Sequence, residues 1–94
     1  MSRLAEGGEQ LSDDELIAQL RALRVDQLLL SNVSMLASLA YDKLDASDLV
    51  QARVAIDAIA ALIPVLEGHV EPQAKRDLEA VVTNLQVAYA DRAP

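Results

Sequence analysis

Cysteine is absent from the 94-residue chain, which excludes a disulfide framework and any thiolate metal site. Tryptophan and phenylalanine are absent as well, and the aromatics are two tyrosines, Tyr41 and Tyr89. The one histidine, His69, is too few for the His-rich clusters that hold zinc or iron. Bases are scarce: 8 against 15 acids, a formal charge of -7. That balance repels nucleic acid and anionic lipid at long range and argues against both as main partners. No P-loop, no G-x-G-x-x-G, no Ser/His/Asp set and no basic stripe with aromatics occurs.

What the chain does hold is aliphatic. With 52% of its residues hydrophobic and 2% aromatic, the core must be built from Ala, Leu, Val and Ile, the palette of a helix bundle. A chain of this length makes one domain, burying roughly 60–70% of the surface its unfolded form exposes. Residues 1–11, with Gly7-Gly8 between Glu6 and Glu9, offer little to bury and read as a flexible tail, leaving residues 12–94 as a single helical-bundle domain. The tail has no apolar run of the kind a secretory signal needs. The longest charge-free run, Gln27 to Tyr41, is interrupted by Ser31, Asn32, Ser34 and Ser38 and falls short of the roughly 20 apolar residues of a membrane span. A cytoplasmic protein with no membrane partner is the expectation.

Ser12-Asp13-Asp14-Glu15 is an S-x-x-E capping box, which predicts a helix from about Asp13. No Gly or Pro follows until after Leu44, yet the apolar stripe changes phase. Leu16, Leu20 and Leu23 share one face; Leu29, Val33, Leu36, Ala40 and Leu44 share another. A break near Arg24-Val25-Asp26 is expected, because one unbroken rod would outrun the other helices. Asp45 or Ser47 is the predicted N-cap of the next helix, which runs through Leu66 on a stripe of Leu49, Ala52, Ile56, Ile59, Ile63 and Leu66. Most of its other positions are apolar too, so it is expected to be buried on most sides, with Pro64 on a narrow polar line and Gly68 just past its end. Pro72 suits the first turn of the last helix, whose stripe is Ala74, Leu78, Val81, Leu85 and Ala88. There is no strand signal. Short connections make successive helices antiparallel, so the predicted fold is all-α: an up-down-up three-helix bundle with an additional N-terminal helical arm.

Three stretches carry a resemblance: Leu36-Ala37-Ser38-Leu39-Ala40, Asp48 through Asp57, and Leu85-Gln86-Val87-Ala88-Tyr89. Their order and spacing resemble the small bacterial family called domain of unknown function 1844, with an A-R/K-x-x-I-D pattern on one helix and L-x-x-x-Y ending the last. The resemblance spans Asp26 to Arg92. This chain departs from it at Glu67-Gly68-His69-Val70-Glu71, where many members carry a T-x-G-N-L loop, and at Leu85-Gln86, where they carry Leu-Arg. The family has no established activity, so the resemblance implies a helical fold and carries over no catalytic residue.

Two sites follow from the helical faces. An up-down-up bundle gathers Tyr41, Arg53, Asp57 and Tyr89 at one end, a candidate polar site for a small molecule; the plainer reading is a surface i,i+4 pair beside two tyrosines that close the bundle. His69, in a Gly-His turn, reads as simply exposed. A catalytic site of the all-α chorismate mutase kind needs several Arg and Lys around a dicarboxylate, and the core-facing stripes carry none. The second site is an association surface. Ser31, Ser34 and Ser38 form a small-residue seam, and Leu16, Leu20 and Leu23 an apolar arm, on a chain with more apolar residues than three helices can cover. The expected function is a non-enzymatic module that homodimerises through these residues or binds another protein, with no cofactor and no metal.

Overall fold

A computed structural model describes residues 12–94, so the predicted tail lies outside the described residues. Four helices occur in the order α1 (Asp13–Ala22), α2 (Val25–Asp45), α3 (Leu49–Leu66) and α4 (Pro72–Arg92), with no strand among the described residues. The fold is all-α.

Helix α1 starts where the capping box places it. The Glu15 N–H donates to Ser12 Oγ at 3.2 Å, and the Ser12 N–H donates to Glu15 Oε1 at 3.1 Å. The expected break also occurs: Leu23 and Arg24 are both extended, at ψ 138° and 126°, and separate α1 from α2 without any glycine or proline.

The α2–α3 turn differs from the sequence-based expectation. Asp45 is the last residue of α2, and the N-cap of α3 is Asp48, whose side chain accepts from the Gln51 N–H at 3.2 Å. Ser47 cannot cap α3 because it adopts a left-handed backbone, φ 61°, whereas an N-cap residue is extended. It terminates α2 instead. The Asp48 N–H reaches back to the Lys43 carbonyl at 2.8 Å and the Ser47 N–H to the Leu44 carbonyl at 3.1 Å, the paired bonds of a Schellman motif. Gly68 takes the equivalent left-handed position after α3, at φ 84°. Pro72 opens α4 as expected, where its missing N–H costs nothing.

The core is aliphatic throughout. Val33, Ala40 and Leu44 from α2 meet Ala52, Ala55, Ile56, Ile59, Ile63 and Leu66 from α3 and Val82 and Leu85 from α4. Helix α3 supplies the largest share and touches both α2 and α4, which also touch each other. Cross-contacts fix the relative ends: Asp26 at the start of α2 lies by His69 in the α3–α4 turn, and Asp45 at the end of α2 pairs with Arg92 at the end of α4 at 3.7 Å. Helix α1 buries no residue and touches no other helix. The radius of gyration, 17.9 Å, exceeds the roughly 12 Å of a compact chain this long, in keeping with a helix that stands off the rest.

Helix α3 is not buried on most sides. Val50, Val54 and Val65 are 72%, 58% and 57% exposed, because α2 and α4 cover one half of its circumference and no other described element covers the rest. Its 18 residues are also long and apolar enough to cross a membrane, by length and composition alone. A search for charge-free runs passes over it, since Arg53 and Asp57 interrupt the sequence while leaving most of the helix apolar.

Candidate functional site

The predicted polar site assembles in part. Arg53, one turn into α3, donates from Nε to Asp57 Oδ2 at 3.1 Å, the i,i+4 pair expected from the spacing. Its guanidinium carbon lies 5.8 Å from the centroid of the Tyr89 ring, within cation–π range. The polar end of Tyr89 first, and the Asp57 carboxylate second, raise the Arg53 pKa above its usual value. The contact itself is guanidinium over ring face, with no Arg53–Tyr89 hydrogen bond of conventional geometry among the described side chains. Tyr41 is exposed and forms no hydrogen bond to this group. Arg53 and Asp57 are both more than half exposed, so the arrangement is a surface cluster rather than an enclosed site.

The opposite end holds a cluster that sequence reasoning passed over. Asp26, the second residue of α2, accepts from Arg24 at both oxygens, Nε to Oδ1 at 3.2 Å and Nη2 to Oδ2 at 2.9 Å, and from the Gln27 N–H at 2.8 Å. His69 Nδ1 stands 3.6 Å from Asp26 Oδ2, beyond hydrogen-bond reach. The Asp26 side chain is only 16% exposed. Hydrogen bonding from Arg24 is the main cause that holds its pKa below the usual value, against an opposing push from burial; the Gln27 N–H and the charges of Arg24 and His69 add to the lowering. Arg24, Val25, Asp26, Leu29, Val65, Leu66 and His69 line an open groove of about 380 Å³ beside it. The lining is mainly aliphatic and contains no hydroxyl or thiol to serve as a nucleophile. Among the described residues no group of three or more His, Asp or Glu is placed to hold a metal ion.

This cluster makes a testable contribution to acid stability. Because folding lowers the Asp26 pKa, its stabilising effect is complete above the usual Asp value of 3.8 and is lost as pH falls through the lowered value. Asp26→Asn should therefore lower the urea midpoint at neutral pH, and the gap to the parent chain should close as the solution is acidified through the carboxylate range. A gap that stays constant with pH would show that Asp26 contributes nothing as a charge.

The predicted association residues are solvent-facing. Leu16 and Leu20 on α1 and Leu23 just past its end are 48%, 58% and 58% exposed, with Ile17 beside them at 45%. Ser31, Ser34 and Ser38 lie exposed along α2, and Ser34 turns its hydroxyl back to the Leu30 carbonyl at 3.2 Å. The seam is flanked by Leu28, Met35 and Leu39, all exposed, so that face of α2 is more apolar than its serines alone suggest. No family model matches the chain, and neither the curated proteins nor the solved structures contain a significant match to it.

Proposed function

We propose that the chain is a non-enzymatic helical module that acts by self-association, with the dimer favoured, as a cytoplasmic protein without nucleic-acid or membrane partners. In this reading α2, α3 and α4 are an up-down-up bundle and α1 is the arm that reaches another copy. The resemblance to domain of unknown function 1844 concerns the bundle alone and adds no residue to the reading.

The observation that carries it is α1, a helix of 10 residues with no buried side chain and no contact to the bundle. Isolated helices shorter than about 12–15 residues are marginal in water even for favourable sequences. Its capping box supports the first turn but cannot supply the tertiary packing from which most helix stability comes. Leu16, Ile17, Leu20 and Leu23 form the apolar stripe that would supply it, each contributing about 1.5–3 kcal/mol if fully covered by a partner. Sedimentation equilibrium at micromolar concentration should give a dimer, and Leu20→Lys should weaken it while leaving the bundle folded. A chain that is monomeric throughout overturns the reading. A different protein recovered at fixed stoichiometry with the native chain, in place of a second copy, would identify it as an adaptor instead. The small-molecule alternative at the Tyr41/Tyr89 end is weaker, since Arg53, the group a ligand would need, is already engaged by Asp57 and Tyr89.

A further inference from the structure

The outer face of α3 offers a surface that the arm does not explain. Val50, Val54, Ala58, Ala61 and Val65 recur at helical spacing on the side opposite the core stripe. The three valines are each more than half exposed, and no described element packs over them. Surface stripes this apolar mark interaction sites rather than solvated faces.

Two features of the stripe identify its occupant. The first is symmetry of size. Laid antiparallel against a second copy of itself about a two-fold axis between Asp57 and Ala58, the stripe sets Val50 of one copy opposite Val65 of the other and Val54 opposite Ala61. Bulk then meets bulk at both ends, while the small residues sit towards the middle, where the helices approach most closely. An isologous two-fold contact requires this self-complementarity. The second is charge. The chain carries -7 overall, so most of its faces repel a second copy. Arg53 and Asp57 flank this stripe already paired with each other at 3.1 Å, so the face brings no net charge to the contact.

We infer that the outer face of α3 is a two-fold homodimer interface, formed by antiparallel packing of Val50, Val54, Ala58, Ala61 and Val65 against the same residues of a second copy. This rests on the self-association reading and adds a contact on α3 to the one made by the arm. The flank of α3 bearing Val65 continues into the groove lined by Val25 and Leu29, so the apolar surface extends onto α2 at each end of the pair.

The absence of native cysteine allows a direct test with single-cysteine chains: Ala58→Cys beside the proposed axis, Leu20→Cys on the arm and Ser34→Cys on the serine seam. Each is oxidised mildly and read on a denaturing gel, alongside sedimentation of the parent chain. A dimeric parent with a covalent dimer from Ala58→Cys is the expected result, whether or not the arm or the seam also crosslinks. In parallel, Val54→Glu should weaken association by at least about tenfold, since it replaces a covered valine by a charge, while its helical circular dichroism matches the parent. A dimeric parent that crosslinks through Leu20→Cys or Ser34→Cys but not through Ala58→Cys overturns the α3 interface and leaves self-association standing. A monomeric parent overturns both.

Discussion

Ile59→Ala should cost about 2–5 kcal/mol of folding stability, among the largest losses expected from a single truncation in this chain. Ile59 is fully buried midway along α3, the helix that touches both α2 and α4, so no solvent boundary is near enough for the cavity to open to water. It is among the largest side chains in the core, and aromatic neighbours that might swing in to fill the space are absent from the fully buried set. For a domain whose whole stability is about 5–15 kcal/mol, such a loss brings the folded state close to its limit. Thermal melting should fall by more than about 8 °C, whereas Gln86→Ala, on the exposed face of α4, should change stability by less than about 0.5 kcal/mol. An Ile59→Ala melt within a degree or two of the parent would mean that the core repacks freely and that α3 is not its centre.

Pro64→Ala should act in the opposite direction, stabilising the fold by about 1–3 kcal/mol. Pro64 lies inside the last turn of α3 and is exposed. It has no N–H to give the Ala60 carbonyl, and its ring crowds that same carbonyl. Alanine restores the bond and the better helix propensity. Against this stands the loss of proline's restraint on the unfolded chain, worth about 0.4–1 kcal/mol, which leaves the balance in favour of the substitution. Urea denaturation with an unchanged slope and a higher midpoint is the expected signature. A lower midpoint would show that the restraint proline places on the backbone at position 64 is needed to seat Leu66 against the core.

The features legible in the sequence were those decided within a few residues. Ser12 and Glu15 lie within one turn of each other, so their reciprocal capping needs no knowledge of the rest of the fold. The break at Leu23-Arg24 was visible because a stripe can serve only one buried face and this one changes face there. Pro72 and Gly68 were likewise placed by backbone chemistry alone.

The cap of α3 was misplaced for a reason equally local in origin. Asp45, Ser47 and Asp48 are all good capping residues, and what selects among them is the left-handed turn at Ser47, set by how α2 closes its last carbonyls. The extent of α3 burial was overestimated because periodicity tells which residues are apolar, whereas the number of helices available to cover them is a property of the whole chain. Of the candidate polar site, the Arg53–Asp57 pair followed from spacing, but its contact with Tyr89 depends on how α3 and α4 pack against each other. The Asp26–Arg24–His69 cluster joins a hinge to a distant turn. Each piece was noticed in the sequence, and nothing in their spacing connects them.

The two extended residues between α1 and α2 have a consequence for how this chain can change over time. Because α1 shares no packing with the core, substitutions along its apolar stripe are thermodynamically independent of those that hold the bundle together. Leu16, Leu20 and Leu23 can be exchanged for other side chains while Ile59 and Leu85 stay fixed. The surface of α1 can thus change without carrying the core over its stability threshold.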